Sequence, residues 1–360
     1  MIIANRLSAE LTDVREKVYT RDLFGGMTDG RQARDMSDTP HHGSADLPNA
    51  VSVAFAVSEI GPLAAAGDYF TALELGEALR ARYGWAVDYR PRGEDWYALA
   101  GVDVVVAMLE DFDPGRIHGA QAGLLVLGWA RNWFERWADR PWIGQFDQVL
   151  ASSRIAARFL SARLERLVPV LRIATNPERF NADRRAPTSK LDFVFTGSFW
   201  GVERDVTKAL TALPDHFHGA VYGKGWDACA GMARYDRGFM PYYALHPAYR
   251  DAAIVIDDAN HVTKAWGAAN SRVFDALAAG CLVITNSRTV ADEVFGGKLP
   301  VYEDAEQLQG LLTHYLRDVE ARDALQSQLA AQVRQRHCYR HRAFELGTLL
   351  QRWRASIKQE

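Results

Sequence analysis

The 360-residue sequence is poor in cysteine. Cys229, Cys281 and Cys338 stand far apart, with no CxxC and no clustering with histidine, which excludes a disulfide scaffold and a structural zinc site and fits a reducing compartment. There is no excess charge of either sign: 42 Lys and Arg against 45 Asp and Glu give a net charge of -3. A dedicated nucleic-acid binder needs a strong basic surplus, so nucleic acid is not an expected partner. No run approaches the roughly 20 apolar residues of a spanning helix, and the N-terminus lacks the apolar core of a signal peptide. A soluble, cytoplasmic protein is expected. A clean G-x-G-x-x-G after a strand is also missing, which disfavours a dinucleotide-dependent oxidoreductase.

What is present is apolar material enough for two α/β domains: 48% of residues are hydrophobic, in a chain too long for one comfortable core. Residues 1–47 read as an atypical segment. Leu7, Leu11, Val14 and Val18 recur at helical spacing, and Gly25 to Asp46 is a polar loop or linker. The first repeating pattern runs from 48 to 183. It starts with the strand Val51 to Val57, a Gly- and Ala-rich turn, a helix through Leu73 and Leu79, and strands Ala86 to Tyr89 and Val102 to Leu109, the beginning of a doubly wound sheet. Leu124 to Leu127, Gln148 to Ala151 and Val170 to Ile173 continue it. The polar stretch Asn181 to Lys190 reads as the link to a second repeat, 184–340, with strands Phe193 to Phe195, Ala220 to Tyr222 and Ile254 to Ile256. Residues 320 to 356 read as helical.

The most informative stretch is Asn270 to Asn286, NSRVFDALAAGCLVITN. Asn270 or Ser271 can cap a short helix, Val273, Phe274 and Leu277 form its apolar side, and Gly280 stops it before the strand Leu282 to Thr285. Such a helix start, with Arg272 in its first turn, is suited to an anion. Two further loops follow strands in the same half: Thr196-Gly197-Ser198, and Gly223-Lys224-Gly225, where Lys224 can neutralise a phosphate. Each is equally readable as a plain glycine turn.

This stretch resembles the donor-site helix of nucleotide-sugar glycosyltransferases with the GT-B fold, in the family 4-like and CgeB-like group, where R-x-F-E-x-x-A-x-G is typical. The terminal RQRHCYRHRAFELGTLLQRW is similar to the last helix of CgeB-like proteins, and ATNPERF to an altered form of a family turn. The resemblance covers mainly residues 190 to 345. It implies two Rossmann-like α/β domains facing a central cleft, with an N-terminal acceptor domain and a C-terminal nucleotide-sugar domain. It also implies that residues 341–360 cross back to the first domain, that Asp275 contacts the donor ribose, and that transfer proceeds with retention. Eight residues before Asp275 the family has its first Glu, where this chain has Gly267, so that sugar contact does not carry over.

Donor-side expectations are therefore Gly197, Ser198, Lys224, Asn270, Ser271, Arg272 and Asp275. On the acceptor side, Asp68 is the leading candidate for a polar contact or base, with the alternative that it caps its helix; Glu59 is second. Arg131, Asn132 and Asp111 are further acceptor-side candidates. Asp111-Phe112-Asp113 has the D-x-D form of a metal-diphosphate site, but the second α/β half favours GT-B, which requires no metal or other cofactor. Trp129, Trp133, Trp137 and Trp142 read either as packing or as a patch lying on a bilayer surface. The expected partners are a nucleotide-diphosphate-sugar donor and a glycan or lipid-linked acceptor, in cell-surface polysaccharide or glycoconjugate synthesis. A sugar-nucleotide epimerase and a non-catalytic scaffold of the same fold are the alternatives.

Overall fold

The computed structural model describes residues 2–4, 18–20, 51–182 and 191–357. Near the N-terminus, β1 (Ile2–Ala4) and β2 (Val18–Thr20) pair in parallel. Val18, expected on a helix, is in a strand with Tyr19 and Thr20, residue types that favour extended chain. The rest of that helix, the loop Gly25 to Asp46 and the link 183–190 lie outside the described residues, as do the expected boundaries at 47 and 183.

The apolar runs of the first half become a parallel sheet of β3 (Ser52–Ala56), β4 (Ala86–Arg90), β5 (Val104–Ala107), β6 (Leu125–Ala130) and β7 (Gln148–Ala151), in spatial order β4-β3-β5-β6-β7. With helices α1 (Gly67–Tyr83), α2 (Phe134–Asp139) and α3 (Arg154–Leu164), it makes lobe 1. Both faces of the sheet are covered, which is why β5 and β6 are buried at every position instead of alternating. Phe55, Leu75 and Trp129 fill one side, and Phe112, Trp137 and Phe146 the other. Trp129 and Trp137 are thus core residues, and neither can meet a bilayer. The expected strand Val170 to Ile173 reduces to a single bridge from Val170 to Ala151. Its partner β7 ends at Ala151, where Ser153 caps α3, so no strand remains for the later residues to pair with.

Lobe 2 repeats the plan. Its sheet consists of β8 (Leu191–Thr196), β9 (Gly219–Tyr222), β10 (Ala252–Asp257) and β11 (Leu282–Thr285), all parallel, in spatial order β11-β10-β8-β9. Around it stand α4 (Asp205–Thr211), α5 (Leu245–Arg250), α6 (Ser271–Ala278), α7 (Arg288–Phe295), α8 (Ala305–Arg317) and α9 (Val319–Arg336). The terminal helical stretch is two helices, not one. The backbone around Cys338 turns aside to bond Thr175, whose N–H donates to His337 O at 3.0 Å and whose carbonyl accepts from Tyr339 N at 2.9 Å. Then α10 (Tyr339–Ile357) lies along α1 and places Tyr339, Ala343, Leu346 and Leu350 in the core of lobe 1.

The lobes are also joined by side chains. The Tyr242 ring stacks on Phe70 with centroids 4.2 Å apart, worth about 1 kcal/mol beyond its buried area, and its hydroxyl donates to buried Glu74 at 3.0 Å. Glu74 also accepts from Asn176 Nδ2 at 2.6 Å and pairs with Arg179. Trp266 of lobe 2 packs on Phe134 and Phe159 of lobe 1 and donates to Glu135 at 3.1 Å.

Candidate functional site

Parallel α/β sheets present their loops for ligand binding at the carboxyl ends of the strands. Both sheets here direct those ends to one cleft of about 310 Å³ between the lobes. Lobe 1 lines it with the loop from β3 to α1 (Ala64, Gly67), with Phe70 and Thr71 of α1, and with Arg131 and Asn132 where β6 ends. Lobe 2 lines it with Gly197 and Ser198 after β8, Gly223 after β9, the aromatics Phe239 and Tyr242, and Asn270, Ser271 and Arg272 where α6 begins. Seven expected site residues therefore meet on one wall or the other: Gly197, Ser198, Asn270, Ser271, Arg272, Arg131 and Asn132.

The start of α6 is built differently from the expected cap. Asn270 is the capping residue, but its side chain makes no cap bond. Its amide instead donates to Asp257 Oδ1 at 3.2 Å and to Asp258 O at 3.1 Å. Arg272 is held too: Nη1 donates to Asp257 Oδ1 at 2.6 Å, Nε to Thr196 O at 2.6 Å, and its guanidinium carbon lies 4.6 Å from the centre of the Phe195 ring. Gly197 makes this possible. Its φ of 155° is a glycine conformation, and a Cβ there would sit 2.9 Å from Arg272 Nη2.

Beneath this wall is a buried polar network at the end of β10. Asp258 pairs with Arg204 at 2.7 Å, both nearly inaccessible, and accepts from Asn286 Nδ2 at 2.9 Å. Burial pushes the Asp258 carboxyl up from its usual range, against the pull of Arg204. At the rim, desolvation acts upward on Asp205, yet bonds from Lys264 and Asn286, with the charge of Lys264, hold it below the ordinary value. The Asp257-Asp258 pair directly after an apolar strand was the available signal for this network. The acids lie at the same strand end as the loops of the site.

Five expected residues do not line the cleft. Asp68 is buried and neither caps α1 nor faces the cavity: Oδ2 accepts from Ser58 N at 2.6 Å and Oδ1 from Ser58 Oγ at 2.7 Å, so it ties the exit of β3 to the helix in place of the expected base or cap. Glu59 Oε1 accepts from Ala65 N and Ala66 N, at 2.6 and 2.7 Å, and shapes the loop that lines the cleft. Asp111 pairs with Arg92, and Asp113 caps a 3-10 turn by accepting from Gly115 N. Lys224 lays its ammonium 4.8 Å from the Phe239 ring centre, outside the lining.

Asp275 is the clearest correction. It sits in a run of α6 buried from Val273 to Ala278, where burial raises its carboxyl well above the usual range, and it is not among the residues lining the cleft, where a ribose contact was expected. Gly267, where the resembling family has glutamate, adopts φ of 60°, and a Cβ would lie 2.5 Å from Thr289 Cγ2. Lining residues that sequence reading passed over include Thr71, Trp200 and Phe239. Trp200 is 73% exposed, and no periodic pattern marks a single aromatic in a loop.

Comparison with known protein families bears mainly on lobe 2. Residues 203–347 match the family model described as glycosyl transferase-like. No curated protein sequence matches the chain. Among solved structures, Anabaena HepE in complex with UDP-glucose is similar with a TM-score of 0.60 at 11% identity, over 83% of this chain and 99% of that one. T4 phage BGT in complex with UDP and Mn2+ gives 0.55 at 12%, over 84% and 99%. Staphylococcus aureus TarM gives 0.53 at 10%, over 68% and 55%. At such identities the likeness is one of fold. The chain has the GT-B fold, and its residues 203–347 are similar to the glycosyl transferase-like family.

Proposed function

We propose that this protein is a glycosyltransferase that moves a sugar from a UDP-sugar to a hydroxyl of a glycan or lipid-linked acceptor, in polysaccharide or glycoconjugate synthesis. The observation that carries this is the convergence of Gly197, Ser198 and the start of α6 on the lobe 2 wall of a cleft at the carboxyl ends of two parallel sheets. A diphosphate placed there meets main-chain N–H groups and the positive end of the helix, and the sugar then projects towards lobe 1. The uridine assignment is supported by the UDP and UDP-glucose bound in similarly folded HepE and BGT.

The lining residues of the cleft include no Asp, Glu or His among the described residues. With no such group on the cleft lining, we infer retention, the course that needs no protein base there. In the step we propose, the bond from the anomeric carbon to the diphosphate oxygen breaks and the bond to the acceptor oxygen forms on the same face. The acceptor's proton passes to an oxygen of the departing diphosphate. No metal is assigned to this step. The same lack of a lining carboxylate also favours a second reading, a sugar-nucleotide-binding protein without turnover. No helix among the described residues is long and apolar enough to cross a membrane, and we place the protein in the cytoplasm, with any bilayer contact peripheral.

Calorimetric titration with UDP, GDP, dTDP and CMP, with and without EDTA, tests the donor. Saturable binding of UDP that EDTA leaves unchanged is expected, and no binding of any nucleotide would overturn the reading. UDP-glucose consumption with and without a hydroxyl acceptor then separates transferase from binding protein.

A further inference from the structure

Two cations line the cleft, and their surroundings are opposite. Arg272, on lobe 2, has its charge answered by Asp257 at 2.6 Å. Arg131, on lobe 1, is only 8% exposed, and its hydrogen bond is to a neutral acceptor, Met108 O, at 3.3 Å from Nη2. Its Nε is buried with no partner. The nearby acids are engaged elsewhere: Asp68 with Ser58, and Glu110 with Arg136 and Arg140 at 3.7 and 3.9 Å. Burial pulls the Arg131 pKa below arginine's usual value, with the charge of Asp68 acting the other way. Guanidinium nevertheless stays protonated in proteins, so the floor of lobe 1 holds a poorly solvated cation with an idle donor.

A buried N–H without an acceptor costs about 1–3 kcal/mol, and the guanidinium that carries it lines the cleft, where its charge meets an incoming oxyanion. Diphosphate is the ligand in the proposed reaction with charge to spare, and that charge grows as the sugar leaves. On lobe 2 the arginine expected to meet it is already neutralised. We propose that Arg131 is the phosphate receptor on the lobe 1 wall, binding an oxygen of the donor diphosphate from the side opposite α6. This rests on the donor reading above, and it moves Arg131 from the acceptor to the donor. The diphosphate is then gripped by both lobes at once, so the leaving group itself draws the cleft together.

The test is calorimetric titration of the unsubstituted chain, Arg131→Lys and Arg131→Gln with UDP and with uridine, each at low and high salt. Uridine affinity should be the same in all three. UDP affinity should fall about 10- to 100-fold in Arg131→Gln, and less in Arg131→Lys, which keeps the charge but loses the planar fork. The salt dependence of UDP binding should weaken in Arg131→Gln. If that variant does not fold, Arg131→Lys carries the test, with selective loss of UDP over uridine as the expected result. UDP and uridine affinities that change in parallel, or not at all, would overturn the proposal while leaving the donor reading intact. Failure of the unsubstituted chain to bind UDP would remove the donor reading and this assignment together.

Discussion

The two walls of the cleft treat charge in contrasting ways. On lobe 2, Arg272, Asn270, Asp257, Asp258, Arg204 and Asn286 are bonded to one another before any ligand arrives. On lobe 1, Arg131 is buried with a donor left over. A charge that has found its partner within the fold stiffens the wall that carries it. One that has not is held ready, at a cost in stability, for a partner from outside.

The largest blow to this contrast is to break the paired wall. Asp258→Ala leaves Arg204 buried and uncompensated and should destabilise the protein by about 3–5 kcal/mol in urea-induced unfolding. A loss below about 1 kcal/mol would mean the pair is far more hydrated than its geometry indicates. Gly267→Glu, which restores the residue of the resembling family, forces a side chain into φ of 60° and against Thr289. It should cost about 1–3 kcal/mol and gain no donor affinity, as thermal unfolding and UDP titration would show. At the rim, Lys264 and Asp205 are each about two-fifths exposed. Lys264→Met should therefore change stability by no more than about 1 kcal/mol, and less at high salt. An effect as large as that of Asp258→Ala would show that the whole network, rim included, acts as one buried unit.

Much of the fold was legible because apolar runs of strand length punctuated by glycine define a doubly wound sheet whatever the partners. The site was legible to the same depth. Residues just after strands or at a helix start, such as Gly197, Ser198, Arg131 and Ser271, face the cleft because strand ends do. What could not be read was the partner of each charge. Arg272 meets Asp257 only because β10 and α6 pack side by side, and Asp68 turns back to Ser58 because α1 starts beside the end of β3. Asp275 is buried for a related reason: its side of α6 is covered by other parts of the fold. The Val170 to Ile173 strand was lost to a partner too short to extend it, which a local pattern cannot show.

The return of α10 to lobe 1 has a consequence for the order of events at the ribosome. Tyr339, Ala343, Leu346 and Leu350 complete a core whose other members lie between Val51 and Ala174. During synthesis the first lobe therefore emerges with its α1 face uncovered and waits through the whole of lobe 2 before its last helix appears. Lobe 2, whose strands and helices are nearly contiguous in the chain, can be finished first. The half made earliest is the half sealed last, and until then its apolar α1 face stays uncovered.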